Sequence, residues 1–389
     1  MLSSSLERHP LSGQDKSLLT DLLYGTLRHL RLLDAALAPR LKRPDKLPTF
    51  VYDALCLASY DILLRDTPRF AAVNEWVGII KQKQPRLAGL ANAVLRRVEL
   101  PEDAPAAVRY SVPDWLFDTW QQHFGADAER IAQGMNQPEP LWLSVYDTQA
   151  TASLQAEGCE VTPGTVAGSV ALRPSKPLAE LEAFKRGWIQ PQNPSSRLPT
   201  HILDVSAGMN VFDLASGQGI KAAQMAAQGA QVTSVDVHGG KLQRAEANLQ
   251  RLGQKVTVLE HDLRYPLSAE PVPRVLLDAP CSGTGTLRGN PELRQRVTPE
   301  SIMELAALQR QLLTTAAALC APNGYLVYAV CALTDAEGEA NARWFADTHA
   351  DFTVAPFTLP IDSISRPLGH YIIPEQGHDG FYIVRFQRL

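Results

Sequence analysis

The sequence has few cysteines and no long apolar run, and both absences limit what the protein can be. Its 389 residues include five cysteines and no C-x-x-C pair, which argues against a disulfide framework and against a zinc site. No stretch approaches the roughly 18 uninterrupted apolar residues of a membrane-spanning helix. The amino terminus lacks a basic segment followed by an apolar core, the mark of a secretion signal. We therefore expect a cytoplasmic protein without membrane or metal.

Two further features bear on the ligand. The sequence contains no G-x-x-x-x-G-K-[ST] motif, which disfavours nucleotide hydrolysis. Its formal net charge of −4 divides into +6 over residues 1–98 and −10 over the remainder. A basic lobe on an acidic body can guide a polyanion to one face. A solvated charged surface explains the same asymmetry equally well.

The pattern of apolar residues predicts three regions. Residues 14–98 have helical spacing, and a linker follows at 100–107. The segment 113–200 mixes a helix at 114–124 with short strands at 141–146 and 168–172. From residue 210 strands alternate with helices, which predicts a parallel sheet covered on both faces. The predicted strands are 211–214, 232–237, 256–260, 275–277, 325–330 and 380–386, and the helices are 220–227, 241–252, 299–321 and 336–348.

Two cysteines stand directly after predicted strands. Asp278 and Cys281 lie in the run 278–285 (D-A-P-C-S-G-T-G), and Cys331 follows the strand at 325–330. Open α/β sheets place their chemistry at the carboxyl ends of strands. We therefore expect both thiols to flank one crevice and to react covalently with a ligand there. Cys56 and Cys320 lie in apolar runs and are interpreted as small core residues.

A nucleotide-like ligand is predicted beside the first strand of this region. Residues 213–219 (D-L-A-S-G-Q-G) leave that strand, and their glycines let backbone amides approach a ligand. Asp236 ends the next strand 19 residues after Gly217, where an acid can bind a ribose hydroxyl. Asp262 ends the third strand and can reach an adenine amine. In a methyltransferase the ligand would be S-adenosylmethionine.

These motifs resemble those of the ribosomal RNA cytosine-C5 methyltransferases of the RsmB (Fmu) type, over nearly the whole chain. The catalytic-domain motifs are 278–285 and 379–382 (D-G-F-Y). In the helical lobe, the strings that resemble a NusB-like RNA-binding domain are 24–28 (Y-G-T-L-R), 71–75 (A-A-V-N-E) and 91–97 (A-N-A-V-L-R-R). The string 111–116 (S-V-P-D-W-L) resembles the start of the central segment of that family.

The resemblance implies a fold and a division of the chain. The fold is an α/β catalytic domain with a Rossmann-like class I methyltransferase sheet, an all-α NusB-like domain and a small α+β middle segment. The implied domains are residues 1–105 for the NusB-like helical RNA-binding domain, 106–200 for the linker and α+β segment, and 201–389 for the methyltransferase domain that uses S-adenosylmethionine.

The resemblance also implies roles for three residues. Cys331 is the nucleophile, Cys281 assists release of the product, and Asp278 binds the target base. Cytosine C5 is a poor nucleophile until a thiolate adds at C6, and such covalent catalysis splits one hard step into easier ones. A carboxyl group bonded to N3 and to the exocyclic amine recognises cytosine and stabilises the adduct. The base that removes the C5 proton is not identified by the sequence.

The cofactor loop departs from the family pattern. The chain has D-L-A-S-G-Q-G-I-K-A at 213–222 where the family usually has D-x-C-A-A-P-G-G-K-T, and V-C-A at 330–332 instead of T-C-S. Neither change touches the cysteines or Asp278, so we expect a divergent but active enzyme. The predicted S-adenosylmethionine contacts are Asp213, Ser216, Gly217, Gly219, Lys221, Asp236, Lys241, Asp262 and Asp278.

The predicted partner is 16S ribosomal RNA of the small subunit before its full assembly, bound by a monomer. The target base must be unstacked or single-stranded to enter the crevice. Candidate phosphate contacts are Arg28, Arg96, Arg97, Arg288 and Arg294. For each of these arginines, a solvated charge or a helix-end partner is at least as good an explanation. Trp115 and Trp120 are interpreted as core residues.

The sequence is compatible with several other functions. The same chemistry can act on transfer RNA or on another ribosomal site, which the helical lobe disfavours. A DNA cytosine-C5 enzyme would use Cys281 as its nucleophile and would not need Cys331. A catalytically lapsed RNA-binding or assembly factor is the alternative from a different class, and the altered loop at 213–222 motivates it.

Overall fold

The computed structural model describes residues 11–138 and 140–389, which form two compact units. The first unit comprises the described residues up to Asn136 together with Asn290–Arg296. The second comprises 137–289, Glu139 apart, and Val297–Leu389. Residues 1–10 of the predicted NusB-like domain lie outside the described part. The three-domain division at residues 105 and 200 stays a prediction, because contacts group the chain into two units.

The first unit is helical, as the apolar spacing of residues 14–98 predicted. Its buried core includes Leu37, Leu55, Ile80 and Leu95. Between residues 11 and 136 the α-helices are α1 Gly13–Arg28, α2 Leu30–Leu37, α3 Thr49–Leu63, α4 Arg69–Lys83, α5 Ala88–Leu95, α6 Ala106–Arg109, α7 Asp114–Phe124 and α8 Asp127–Gly134. One further helical turn, Leu293–Arg296, belongs to this unit.

Helix α7 shows how the local sequence sets the bounds of an element. It begins after Pro113, whose fixed φ suits the residue that precedes a helix, and it ends at Gly125, which has a φ of 56°. The predicted helix at 114–124 is therefore confirmed. Trp120 is fully buried and Trp115 is half-buried, as expected for core-facing residues.

A small antiparallel sheet opens the second unit. Its strands are β1 Leu141–Val145, β2 Glu160–Pro163, β3 Ser169–Arg173 and β4 Ile189–Pro191, in the order β2-β3-β1-β4. Helices α9 Ala150–Ala156 and α10 Glu182–Lys185 accompany it, and their apolar residues share one core with the sheet. This is the small α+β segment expected from the sequence.

The main sheet of the second unit contains nine strands from the described residues. They are β5 Asn210–Leu214, β6 Gln231–Asp236, β7 Val256–Glu260, β8 Val272–Asp278, β9 Cys320–Val330, β10 Phe352–Val354, β11 Ile364–Ser365, β12 His370–Ile372 and β13 Phe381–Arg388. The order is β11-β12-β13-β9-β8-β5-β6-β7, with β10 beside β13. The accompanying helices are α11 Leu198–Ile202, α12 Ile220–Ala226, α13 Gly239–Arg251, α14 Pro299–Ala318 and α15 Glu339–Thr348.

Two expectations for this sheet are corrected. The predicted strand at 380–386 is β13, but it pairs antiparallel with both β9 and β12, so the sheet is mixed. The chain passes from β12 to β13 without a helix, and adjacent parallel strands need a longer crossover. Cys320 starts β9 instead of lying in a helix, because α14 already ends at Ala318. It is nevertheless buried, as expected.

The parallel part of the sheet has one topological switch point. Strand β5 pairs with β6 on one side and with β8 on the other, and all strands from β7 to β9 along this path are parallel. Ligands of open α/β sheets bind where the strand order reverses, outside the carboxyl ends of the strands. None of the helices in the described residues has both the length and the apolar character needed to cross a membrane.

Candidate active site

The candidate site lies at the carboxyl ends of β5, β8 and β9. In the sheet register Asp213 is opposite Leu276, and Asp278 is opposite Ala329, two residues before Cys331. The backbone amide of Ala279 then donates to the carbonyl of Ala329 at 3.0 Å, which extends the ladder into the loops. The strands therefore deliver two acids and a thiol to one end of the sheet.

A buried ion pair joins Lys221 and Asp278. The Lys221 Nζ donates to Asp278 Oδ2 at 2.6 Å and to Ser196 Oγ at 3.0 Å. The lysine is nearly buried, whereas the Asp278 side chain is 30% exposed. Burial acts to lower the pKa of Lys221, but the charge and hydrogen bond of Asp278 outweigh it and raise that pKa. Asp278 is thus held in one orientation with part of its carboxylate open to a ligand.

Asp213 adds an acid behind this pair. Its carboxyl group is fully buried, and no side chain among the described residues is hydrogen-bonded to it. Burial raises its pKa to about 7, and the positive charge of Lys221 partly opposes that rise. Asp213 therefore changes its protonation near neutral pH, next to the Lys221–Asp278 pair.

The two thiols predicted to share a crevice are in contact. The Sγ atoms of Cys281 and Cys331 are 3.2 Å apart, and both residues are half-buried. The hydrogen bond to Cys331, and then burial, raise the pKa of the Cys281 thiol well above its ordinary value. The other three cysteines are buried, as the interpretation of Cys56 and Cys320 required.

Backbone contacts fix the two cysteine loops against each other. The amide of Gly285 donates to the carbonyl of Cys331 at 3.0 Å, and the amide of Gly380 donates to the carbonyl of Gly285 at 2.7 Å. A Cβ on Gly285 would lie 2.0 Å from the Gly380 carbonyl oxygen, so only glycine fits there. The D-A-P-C-S-G-T-G and D-G-F-Y strings therefore meet.

A buried glutamate that the sequence analysis did not single out lies beneath both loops. Glu337 is fully buried, and its carboxylate accepts hydrogen bonds from Ser282 of one loop and Thr334 of the other. Nothing in the local sequence distinguishes this residue from the exposed acids of other loops. Its burial depends on contacts that are distant along the chain.

The predicted cofactor loop folds through left-handed backbone positions. Ala215, Gly217 and Gly219 have φ values of 55°, 58° and 70°. Asp236 is buried, and its carboxylate accepts from the amides of Gly217 and His238, both at 2.9 Å. Asp236, which the sequence predicted to bind a ribose, therefore also stabilises the loop after β5.

The donor set of this edge fits S-adenosylmethionine. The Ser216 hydroxyl is buried without a hydrogen-bond partner in the described part of the chain, and a ligand donor or acceptor would satisfy it. The Asp262 side chain is 25% exposed and already forms an ion pair with Arg264 at 2.6 Å. Lys241 lies in α13 and is half-buried. Acidic groups at this edge suit a sulfonium and ribose hydroxyls better than a phosphate chain.

The predicted RNA contacts divide into exposed and buried arginines. Arg96 and Arg97 are exposed at the end of α5, and Arg28 is half-buried at the end of α1. Arg288 and Arg294 are 1% and 3% exposed, which corrects their assignment as phosphate contacts.

Both buried guanidinium groups donate hydrogen bonds to oxygen atoms of the protein itself. Arg288 donates to the carbonyl of His378 and to Asp379, and Arg294 donates to several backbone carbonyls of the first unit. Burial lowers the pKa of Arg294 to about 9. These contacts give both arginines a structural role.

Comparisons with known proteins place this geometry in a family. Residues 200–387 match the model of the 16S rRNA methyltransferase RsmB/F family, residues 1–100 match the NusB family, and residues 112–179 match the RsmF/B-like ferredoxin-like domain. The chain is 41% identical to ribosomal RNA small subunit methyltransferase B of Thermus thermophilus, over 100% of this chain and 93% of that protein. It is 33% identical to the Escherichia coli protein of the same name, over 96% of this chain and 91% of that one.

Solved structures agree on the fold. The crystal structure of PH0851 superposes with a TM-score of 0.83 at 24% identity, over 99% of this chain and 93% of that one. NSun6 from Pyrococcus horikoshii, solved with SFG, gives a TM-score of 0.63 at 18% identity, over 71% of this chain and 98% of that one. The predicted fold class is confirmed: a NusB domain, a ferredoxin-like segment and a Rossmann-like methyltransferase domain. The chain therefore belongs to the RsmB/F family of 16S ribosomal RNA methyltransferases.

Proposed function

We propose that this protein transfers a methyl group from S-adenosylmethionine to C5 of a cytosine in 16S ribosomal RNA, through a covalent bond between Cys331 and C6 of that base. One observation carries the proposal. The Sγ of Cys331 lies 3.2 Å from the Sγ of Cys281, at the sheet edge where Lys221 holds Asp278. Membership of the family supports methyl transfer to ribosomal RNA. The arrangement of the two thiols and Asp278 supports the covalent mechanism.

Cys331 makes the carbon nucleophilic. Its thiolate adds to C6, and the electron pair of the C5–C6 double bond moves so that C5 becomes an enamine-like carbon. Such covalent catalysis replaces one difficult step with two easier ones. The ammonium group of Lys221 lies close enough to Cys331 for the two groups to interact electrostatically.

Asp278 recognises the base. A carboxyl group that hydrogen-bonds N3 and the exocyclic amine distinguishes cytosine from uracil and stabilises the charge that develops on the ring in the adduct. The bond from Lys221 fixes the orientation of this carboxyl group before the RNA arrives. Such preorganisation lowers the cost of binding the reacting base.

Cys281 assists the release of the product. After methyl transfer the proton on C5 leaves, the double bond re-forms, and the Cys331 sulfur departs from C6. Because the two Sγ atoms are in contact, the Cys281 thiol can donate a hydrogen bond to the departing sulfur. Loss of Cys281 therefore leaves the adduct in place.

The cofactor edge binds S-adenosylmethionine, which supplies an electrophilic methyl group when bound. Asp236 would accept from the ribose hydroxyls, Asp262 would bind the adenine amine, and Ser216, Gly217 and Gly219 would contact the rest of the cofactor. The remaining proposed contacts are Asp213, Lys221, Lys241 and Asp278.

The helical unit binds the RNA. Arg96 and Arg97 are exposed, and Arg96 lines an open cavity of about 370 Å³ beside Phe70, which is 81% exposed. An exposed aromatic ring next to an arginine suits a single-stranded nucleotide, because the ring stacks on a base and the guanidinium contacts a phosphate. Arg28 is the third proposed phosphate contact.

Trapping with RNA that contains 5-fluorocytosine tests the proposal, because fluorine at C5 cannot leave as a proton does. We expect the wild-type protein to form a covalent complex with 16S RNA and labelled S-adenosylmethionine. Cys331→Ala should form none, Cys281→Ala should accumulate adduct even on unmodified RNA, and the buried control Cys159→Ala should behave like wild type.

Other outcomes identify the alternatives. An adduct that needs Cys281 and not Cys331 would reverse the roles of the two thiols and contradict the proposal. Methylation of transfer RNA but not of 16S RNA would contradict the proposal that 16S RNA is the substrate. A protein that binds no S-adenosylmethionine at millimolar concentration would be a binding or assembly factor.

A further inference from the structure

Glu337 is a buried carboxylate on the loop that follows Cys331. Its Oε1 accepts from the backbone amide of Ser282 at 2.7 Å and from Gln309 Nε2 at 3.2 Å. Its Oε2 accepts from the hydroxyls of Ser282 at 2.6 Å and Thr334 at 2.9 Å. These four donors are all neutral, so the contacts satisfy the oxygens and leave the negative charge in place.

The donors come from three different segments. Ser282 follows Cys281, Thr334 lies three residues after Cys331, and Gln309 lies in α14. Gln309 also donates to the carbonyl of Pro280 at 2.9 Å, directly before Cys281. One carboxylate thus ties both cysteine loops to the same helix.

The polypeptide around Glu337 is itself restrained. The Tyr328 hydroxyl donates to the Glu337 carbonyl and to Gln309 Oε1, and Asn341 Nδ2 donates to the same Oε1 at 2.8 Å. Every member of this group is buried. Satisfied buried networks of this kind are rigid, because each alternative arrangement leaves a polar group unpaired.

The charges on the two sides of the thiol pair differ in sign. The hydrogen bond to Cys331, burial and the Glu337 charge together raise the pKa of Cys281. The positive charge of Lys221, which is bound to Asp278, interacts with Cys331. The negative charge of Glu337 therefore favours a proton on Cys281.

We propose that Glu337 is a positioning residue that holds the Cys281 loop against the Cys331 loop and keeps Cys281 as a neutral thiol, so that only Cys331 acts as the nucleophile. The catalytic part of this inference rests on the proposed function. The positioning part rests only on the contacts of Glu337 and applies to any chemistry of the two thiols.

Thiol alkylation in the absence of RNA tests the positioning part. The rates at which iodoacetamide modifies Cys281 and Cys331 are measured against pH by peptide mass spectrometry, at low conversion so that one modification does not block the other. The midpoint of each curve is the pH at which a cysteine reacts at half its maximal rate. In Glu337→Gln we expect the midpoint for Cys281 to move to lower pH. The ratio of Cys281 to Cys331 modification at pH 7.5 should rise about tenfold, as for a change of one pKa unit.

Two variants separate charge from shape. Glu337→Asp keeps the charge and shortens the side chain, so the Cys281 midpoint should stay near the wild-type value. The matched control is Glu339→Gln, which alters a buried glutamate two residues further on that pairs with Arg343 and not with the cysteine loops. Its alkylation profile should equal that of wild type. Ser282→Ala, a smaller change, should move the ratio in the same direction as Glu337→Gln.

Turnover with RNA then tests the catalytic part. Glu337→Gln should lower kcat at least tenfold with KM for RNA within twofold, and it should accumulate the covalent RNA adduct. An unchanged Cys281 midpoint in both Glu337→Gln and Ser282→Ala would overturn the inference, whatever the activity. A shifted midpoint in a protein whose wild-type form makes no RNA adduct would support the positioning role of Glu337 and reject the proposed function.

Discussion

The two sides of the candidate site in the second unit are built in different ways. We call the loops after β8 and β9 the cysteine edge, and the residues after β5 and β6 the cofactor edge. At the cysteine edge, the loops after β8 and β9 are joined by side-chain hydrogen bonds to Glu337 and by the backbone bond from Gly285 to Cys331. At the cofactor edge, the loop after β5 depends on left-handed backbone positions and on two amides bound to Asp236. At the cysteine edge Ser282 and Thr334 bond to Glu337, whereas Asp213 and Ser216 at the other edge have buried side-chain oxygens without a partner among the described residues.

This difference separates two kinds of position. The cofactor loop departs from the family pattern at Ala215 and Gly217, which have positive φ. The cysteine loops depart at Val330 and Ala332 but keep Asp278, Cys281 and Gly285, which carry the side-chain chemistry and the close backbone approach. The contrast between the two edges leads to four predictions, of which the first has the largest expected effect and the last the smallest.

The largest effect is expected from Asp278→Asn at the cysteine edge. The amide keeps the shape of the side chain but loses the charge that binds Lys221 and the protonation needed at N3 of the base. We expect kcat for RNA methylation to fall by about 10³-fold, as for loss of a general acid combined with loss of electrostatic stabilisation. The exposed Asp118→Asn on α7 is the control and should keep wild-type activity. A kcat within threefold of wild type would remove Asp278 from the mechanism.

Gly285→Ala should lower the free energy of unfolding by about 2–3 kcal/mol, because the new Cβ overlaps a backbone oxygen that cannot move away cheaply. Urea denaturation followed by circular dichroism measures this change. Gly240→Ala at the cofactor edge is the matched control, since nothing lies within 4 Å of a Cβ there. It should raise stability by roughly 0.5–1 kcal/mol. Equal effects of the two substitutions would contradict the contrast between the edges.

Asp213 predicts a pH dependence of stability. Its pKa is raised from 3.8 to about 7 in the folded protein, so the folded state keeps a proton that the unfolded state releases near pH 4. The unfolding free energy of wild type should therefore fall between pH 4 and pH 7, relative to that of Asp213→Asn. The difference should reach about 4 kcal/mol at pH 7 and vanish well below pH 4. Parallel pH curves for the two proteins would show that Asp213 is ionised in the folded state.

The smallest effect is expected from Ala215→Gly. Ala215 has a φ of 55°, a conformation that is strained for alanine and unstrained for glycine. Part of that relief is offset by the greater freedom of glycine in the unfolded chain, so we expect a gain of roughly 0.5–1 kcal/mol. The control Ala223→Gly, inside α12, should instead lose about 1 kcal/mol. A destabilised Ala215→Gly protein would mean that other contacts hold this loop.

The site was predictable wherever the chemistry lies next to a local pattern. Asp278, Cys281 and Cys331 follow apolar strands at positions that the strand period predicts, so their arrival at one sheet edge followed from parallel pairing. Glu337 was not predictable, because its partners Ser282 and Gln309 are 55 and 28 residues away and nothing local marks the loop as buried. Arg288 and Arg294 failed as RNA contacts for the same reason.

The sequence by itself determined the alternation of strands and helices from β5 to β9, the helical nature of residues 14–98 and the delivery of two thiols to strand ends, because each depends on the spacing of apolar residues along a few turns or one strand. The short strands β10, β11 and β12 were not predicted. Only the tertiary structure decided that β13 runs antiparallel, that Glu337 lies beneath both cysteine loops and that Arg288 and Arg294 are interior residues. Those features arise from contacts between distant segments. Burial and pairing at such distances depend on how whole elements pack, and no short stretch of sequence contains that information.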